Sequence, residues 1–253
     1  MSALATSAVV FACIFGVALA AMFFKRYLPE HHLSADSKDV VKMGMGTMAT
    51  LAAIVLGLLI ATAKGTYDAQ SGAVQELAAK VMFLDRILAK YGPETKEARD
   101  LLRDATEAIK GSIWPDEDAR PASLAPGAAR AVGDAMYDKI ADLSPRDDAQ
   151  RALKARALES LTNILQERLR LYVRHDGSLP LPFLVVLASW LAVLFAGYGL
   201  LAPRNATVVV VLFVCTLSVS AAIFLLLELS TPFSGMLRIS SGPLRDALSL
   251  IGK

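Results

Sequence analysis

The chain is 253 residues long, 55% hydrophobic and 20% charged, with a formal net charge of only +2. Its basic residues are interleaved with acids and form no stripe, which excludes a nucleic-acid-binding protein that works by neutralising phosphates.

The apolar residues are blocked along the chain. Residues 1–24, 43–63, 177–202 and 205–227 contain no Asp, Glu, Lys or Arg. Each run is about as long as the roughly 20 apolar residues that carry a helix across a bilayer. Burying four such helices inside a soluble protein would demand a larger core than the rest of the chain can cover. The expected fold class is therefore an all-α membrane protein with four transmembrane helices. The first run lacks a basic start and a second span follows closely, so a retained helix is expected and not a cleaved secretory signal. Cys13 and Cys215 fall inside spans, as small packing residues.

Four spans place both termini and the long polar segment on one side. The expected domains are a first transmembrane pair over 1–63 with a short loop at 25–42, a helical stalk and bundle over 64–178, a second pair over 179–228, and an amphipathic tail over 229–253. Near the span ends, the terminal side carries Lys64, Lys80, Arg168, Arg170, Arg174, Arg238, Arg245 and Lys253, and the loop side Lys25, Arg26, Lys38, Lys42 and Arg204. This excess of basic residues predicts that the termini and the bundle face the cytoplasm.

After Lys64 the pattern predicts helices. Val74, Leu77, Val81, Leu84, Leu88 and Tyr91 recur at spacings of three and four, and no breaker separates them from the second span. One helix should therefore leave the membrane as a stalk of roughly 40 Å. Gly92 and Pro93 end it, Gly as a C-terminal cap and Pro as the first turn of the next helix. That helix buries Ala98, Leu101, Leu102, Ala105 and Ile109. "IWPDEDARPASLAPG" reads as a loop, residues 128–143 as a third helix, and Ser144 as the cap of a fourth that runs to about His175.

Neighbouring helical residues point about 100° apart, so His31 and His32, with Asp36 and Asp39, would share a divalent metal only from an irregular loop. The preferred reading is a helix boundary, Asp36 capping the second span and Asp39 in its first turn. No metal is expected. In the second span Gly46, Thr50, Ala53, Gly57, Ala61 and Lys64 make one face of small residues ending in a cation. Such a face lets helices approach closely in lipid. The functional alternative to that packing role is the lining of an ion pathway in an oligomer, with Ile54 and Leu58 near the constriction and a ring of Lys64 favouring anions. Asn205 reads as the cap of the fourth span, and Glu228 as a hydrated residue at its far boundary. In the tail, Leu244, Leu248 and Ile251 share one face, as in a short helix docked on the membrane surface or on the bundle. GxSxG, HExxH, P-loop and GxGxxG motifs are absent, so neither an enzyme nor a cofactor is expected.

"LPEHHLSADSKDVVKMGMGTMATLAAIVLGLLIATAKGTYD", the later "IWP" and the closing "APRNATVVVVLFVCTLSVSAAIFLLLELSTPFSGMLRISSGPLRDAL" resemble a family of bacterial membrane proteins described as bestrophin-like. The resemblance covers nearly the whole chain. It implies a homo-oligomer, a pentamer by family analogy, in the bacterial inner membrane. It also implies conduction of small inorganic ions, mostly anions such as chloride, with the second transmembrane helix lining the pore and continuing into a cytosolic helical domain. Two departures stand out: the small-residue face does not match the bulky triplet of a bestrophin neck, and the acidic calcium clasp of animal members has no counterpart, so calcium gating is not carried over. The functional expectation is an ion channel, with a non-conducting membrane scaffold or sensor whose bundle binds partners as the alternative. In a channel, His31, His32, Asp36 and Asp39 would form the outer mouth.

Overall fold

A computed structural model describes residues 2–25, 35–114, 126–174 and 181–252. Among them all regular structure is helical: α1 (Ala3–Phe24), α2 (Ala35–Tyr91), α3 (Lys96–Ile113), α4 (Pro126–Ala141), α5 (Asp148–Arg174), α6 (Leu181–Leu201), α7 (Ala206–Leu229) and α8 (Gly242–Leu250). Four of these, α1, α2, α6 and α7, are long and apolar enough to cross a membrane. Helix α2 runs unbroken for 57 residues. It stops at Gly92, whose φ of 142° is open to glycine, and Pro93 then starts a single 3-10 turn before α3.

Two helix starts differ from expectation. Asp36 is not the cap of α2 but lies in its first turn, where the helix dipole favours it, and Asp39 lies further on and pairs with Lys42 at 3.0 Å. The cap of α5 is Asp147, not Ser144: Asp147 Oδ1 accepts from the Gln150 amide at 2.7 Å, and Gln150 Oε1 accepts from the Arg146 amide at 2.8 Å. Lys154 Nζ donates to the carbonyl of Ala141, the last residue of α4, at 2.5 Å and to that of Leu143 in the connection at 2.9 Å.

The chain divides into two compact units, Met1–Tyr67 with Ser178–Arg238, and Asp68–Gly177 with Ile239–Lys253. In the first, Ile14, Ala18 and Met22 of α1 pack with Leu187, Leu191 and Leu194 of α6 and with Leu212 and Ile223 of α7. The backbones of α1 and α6 touch where a Cβ on Gly199 would lie 2.1 Å from the Ala18 carbonyl oxygen. Small residues allow this approach where the attraction between helices is packing alone. Phe213 meets Phe11 and Phe15 edge-on, at 5.4 and 5.6 Å between ring centroids. Helix C-termini carry unpaired carbonyls, and two cations satisfy them here: Lys25 Nζ donates to Ala202 O at 3.0 Å, while Arg204 donates to Met22 O and Phe23 O at 2.8 Å. Asn205 caps α7 as expected, accepting from the Val208 amide at 2.8 Å. Cys13 and Cys215 are free thiols.

In the second unit Val74, Leu77, Val81, Leu84 and Leu88 of α2 are buried, as are Leu102, Ile109, Met136, Ile140, Leu161 and Ile164 from α3, α4 and α5. The periodic faces read for α2 and α3 are the faces that pack, with Leu101 and Ala105 half-buried, whereas Leu169 near the end of α5 is 63% exposed. The buried Asp85 receives two bonds from Arg99, at 2.8 and 3.0 Å, which holds the guanidinium above its usual range. Lys139 holds Glu97 below the usual carboxylate range. That depressed carboxyl lends its support at neutral pH and loses it as pH falls through the lowered value. The tail, for which two docking places were open, lies on the bundle: Leu244, Ala247 and Ile251 are buried. Trp114 Nε1 donates to Ile239 O at 2.8 Å, Arg103 Nη1 donates to Ile251 O at 3.0 Å, and the Gly252 amide reaches Asp85 Oδ1 at 3.3 Å.

Candidate functional site

Helix α2 has two unlike sides within the first unit. Met45, Ala52 and Ala63 are buried, and Met48, Ala49, Leu56 and Leu59 pack partly beside them. At about 100° per residue these positions fall within roughly 60° of one direction. Gly46, Thr50, Ala53, Ile54, Gly57, Leu58, Ala61 and Lys64 lie on the other side, and every one is exposed in the single chain. A Cβ built on Gly46 or Gly57 meets nothing within 4 Å. Ile54 and Leu58, at 61% and 67% exposure, are large apolar side chains left uncovered by their own chain.

This exposed side is polar only in a restrained way. Thr50 Oγ1 donates to Gly46 O at 3.0 Å and Thr62 Oγ1 to Leu58 O at 2.8 Å, so both hydroxyls are spent on their own helix. The cation at its end, Lys64, sits with Nζ 5.6 Å from the centre of the Tyr67 ring, an arrangement that holds an ammonium by attraction to the π face. The candidate outer-mouth residues are less complete. Asp36 and Asp39 are exposed near the start of α2, while His31 and His32 lie outside the described residues. Among the described residues no group of His, Cys, Asp and Glu could hold a metal ion.

A family model for the bestrophin-like domain matches residues 12–244. The chain belongs to the bestrophin-like family. The bestrophin-like fold is also that of a crystal structure of a bacterial bestrophin homolog from Klebsiella pneumoniae with one mutation, at a TM-score of 0.73 and 13% identity over 100% of this chain and 99% of that one. A second Klebsiella pneumoniae structure matches at 0.71 and 12% identity, covering 96% and 95%. A third, described as a membrane protein, matches at 0.69 and 13% identity over 98% and 99%. A search of curated proteins finds no match. The bestrophin-like chain is thus a helical membrane protein whose fold persists where few residues are shared.

Sequence reasoning missed one site. Glu228 was expected to be a hydrated boundary residue, yet it is 4% exposed and accepts from the amides of Met236 and Leu237 at 2.6 and 3.1 Å. The available signal was Gly235 seven positions on, whose φ of 86° folds the chain back over the carboxylate. A periodicity search overlooks it because the turn has no period.

Proposed function

We propose that this bestrophin-like chain assembles with copies of itself, as a pentamer by family analogy, into an ion channel that prefers anions such as chloride and is lined by α2. The observation that carries the reading is the uncovered face from Gly46 to Lys64, set opposite the side of α2 that packs. A helix face of small side chains leaves room on a shared axis, and cations at its end would raise the local concentration of anions. Family membership supports conduction as the activity. The excess of basic residues on the terminal side supports a bacterial inner-membrane location with both termini and the helical bundle in the cytoplasm.

The test is purified protein in planar bilayers under a potassium chloride gradient. The reversal potential should lie towards that of chloride, and Lys64→Glu should move it towards that of potassium. Absence of current at every voltage and pH would defeat the reading. An unperturbed histidine changes charge between about pH 5 and 8. Current should therefore change over that range and flatten in the His31→Ala, His32→Ala double variant; an identical pH profile in the variant removes them from the pathway.

A further inference from the structure

We propose that the turn following α7 is a binding site for a small monovalent anion, of the size of formate or chloride, which Glu228 fills as a tethered ligand. Two consecutive backbone amides, of Met236 and Leu237, donate to one oxygen of Glu228, Oε2, at 2.6 and 3.1 Å. Gly235 shapes the site: its φ is 86°, and a Cβ there would lie 2.6 Å from that oxygen. Successive N–H groups turned inward at a left-handed glycine form a concave donor set that suits anions in general, with no cationic side chain required.

The carboxylate is poorly placed for its own helix. It stands in the last turn of α7, where the negative end of the helix dipole disfavours it, and burial adds a desolvation cost. The donors in the turn offset both, so the site selects the anion and α7 merely supplies it. The turn's scaffold is independent of the side chain. Backbone bonds from Thr231 N to Glu228 O at 3.2 Å, and from Ser234 N to Thr231 O at 3.1 Å, shape it without the carboxylate, and Pro232 within it is buried. Gly235 and Met236 are exposed, Met236 at 76%, so a solute anion has a short route to the amides. Anion binding at this turn does not depend on whether the assembly conducts.

The experiment is thermal melting of the full chain in detergent, in potassium gluconate, chloride, nitrate and formate at one ionic strength. Glu228→Ala leaves two donors without an acceptor and should melt about 2–8 °C below the unsubstituted protein in gluconate. Formate, chloride or nitrate should restore at least half of that loss with a saturating dependence; rescue by formate alone assigns the site to a carboxylate small enough to enter, which the bulky gluconate is not. The unsubstituted protein and Glu228→Gln, whose sites are filled, should show no such preference among anions. Equal melting of Glu228→Ala in all four salts overturns the proposal. If Glu228→Ala is recovered folded only when prepared in formate, the proposal holds. If it folds in none of the salts while Glu228→Gln does, it fails.

Discussion

Gly57→Leu is expected to lower ion flux by about two orders of magnitude or more while the assembled protein stays intact. Gly57 is exposed and a Cβ built there meets nothing within 4 Å beyond its own turn of helix, so the added side chain starts into open space and not into the protomer's core. Repeated around a symmetric axis, the same change places a ring of leucines at one level of the pathway, and a narrow apolar ring excludes water and ions together. Flux from loaded liposomes and the mass of the detergent-solubilised assembly are the two measurements. Lost assembly together with lost flux would make this face a helix-packing surface instead. Gly199→Leu serves as the contrast. There the added Cβ would lie 2.1 Å from the Ala18 carbonyl oxygen, so α1 and α6 must separate and little folded protein should remain. Two glycine substitutions of equal size in neighbouring spans should thus fail for different reasons.

Asp85→Ala should destabilise the helical bundle by about 3–5 kcal/mol, the usual cost of leaving one partner of a buried ion pair uncompensated. Arg99 would lose both of its bonds to that carboxylate, and the Gly252 amide would lose its acceptor at the end of the tail. Limited proteolysis should therefore release residues 239–253 from the variant sooner than from the unsubstituted protein. Replacing both partners, Asp85→Leu with Arg99→Met, should recover most of the loss, because two apolar groups of similar volume leave no orphaned charge. A double variant as unstable as the single one would show that the tail's hold on Asp85, and not the ion pair, carries the energy.

Much of the helical architecture was legible in the residues because its signals are local or periodic. A run without charge has to become a span, and spacings of three and four mark a buried stripe, so α1, α7 and the packed face of α2 follow from composition and period alone. Breakers and caps are equally local: Gly92 ends α2 and Asn205 starts α7 because their conformations and hydrogen bonds involve residues at most four away. Ser144 reads as the cap of α5 from its place before Pro145, yet Asp147 takes that role by accepting from the Gln150 amide three residues on.

For the candidate site, helical spacing alone determined that Gly46, Thr50, Ala53, Gly57, Ala61 and Lys64 share one side of α2. Only the tertiary structure decided that this side is the one the protomer leaves uncovered, since that depends on where α6 and α7 pack. The contacts of Gly199 with Ala18, Asp85 with Arg99 and the tail, and Glu228 with the amides of residues 236 and 237 likewise belong to the three-dimensional arrangement. A side chain's periodicity names the direction in which it points, but its partner is set by whichever distant segment the fold brings within a few ångströms.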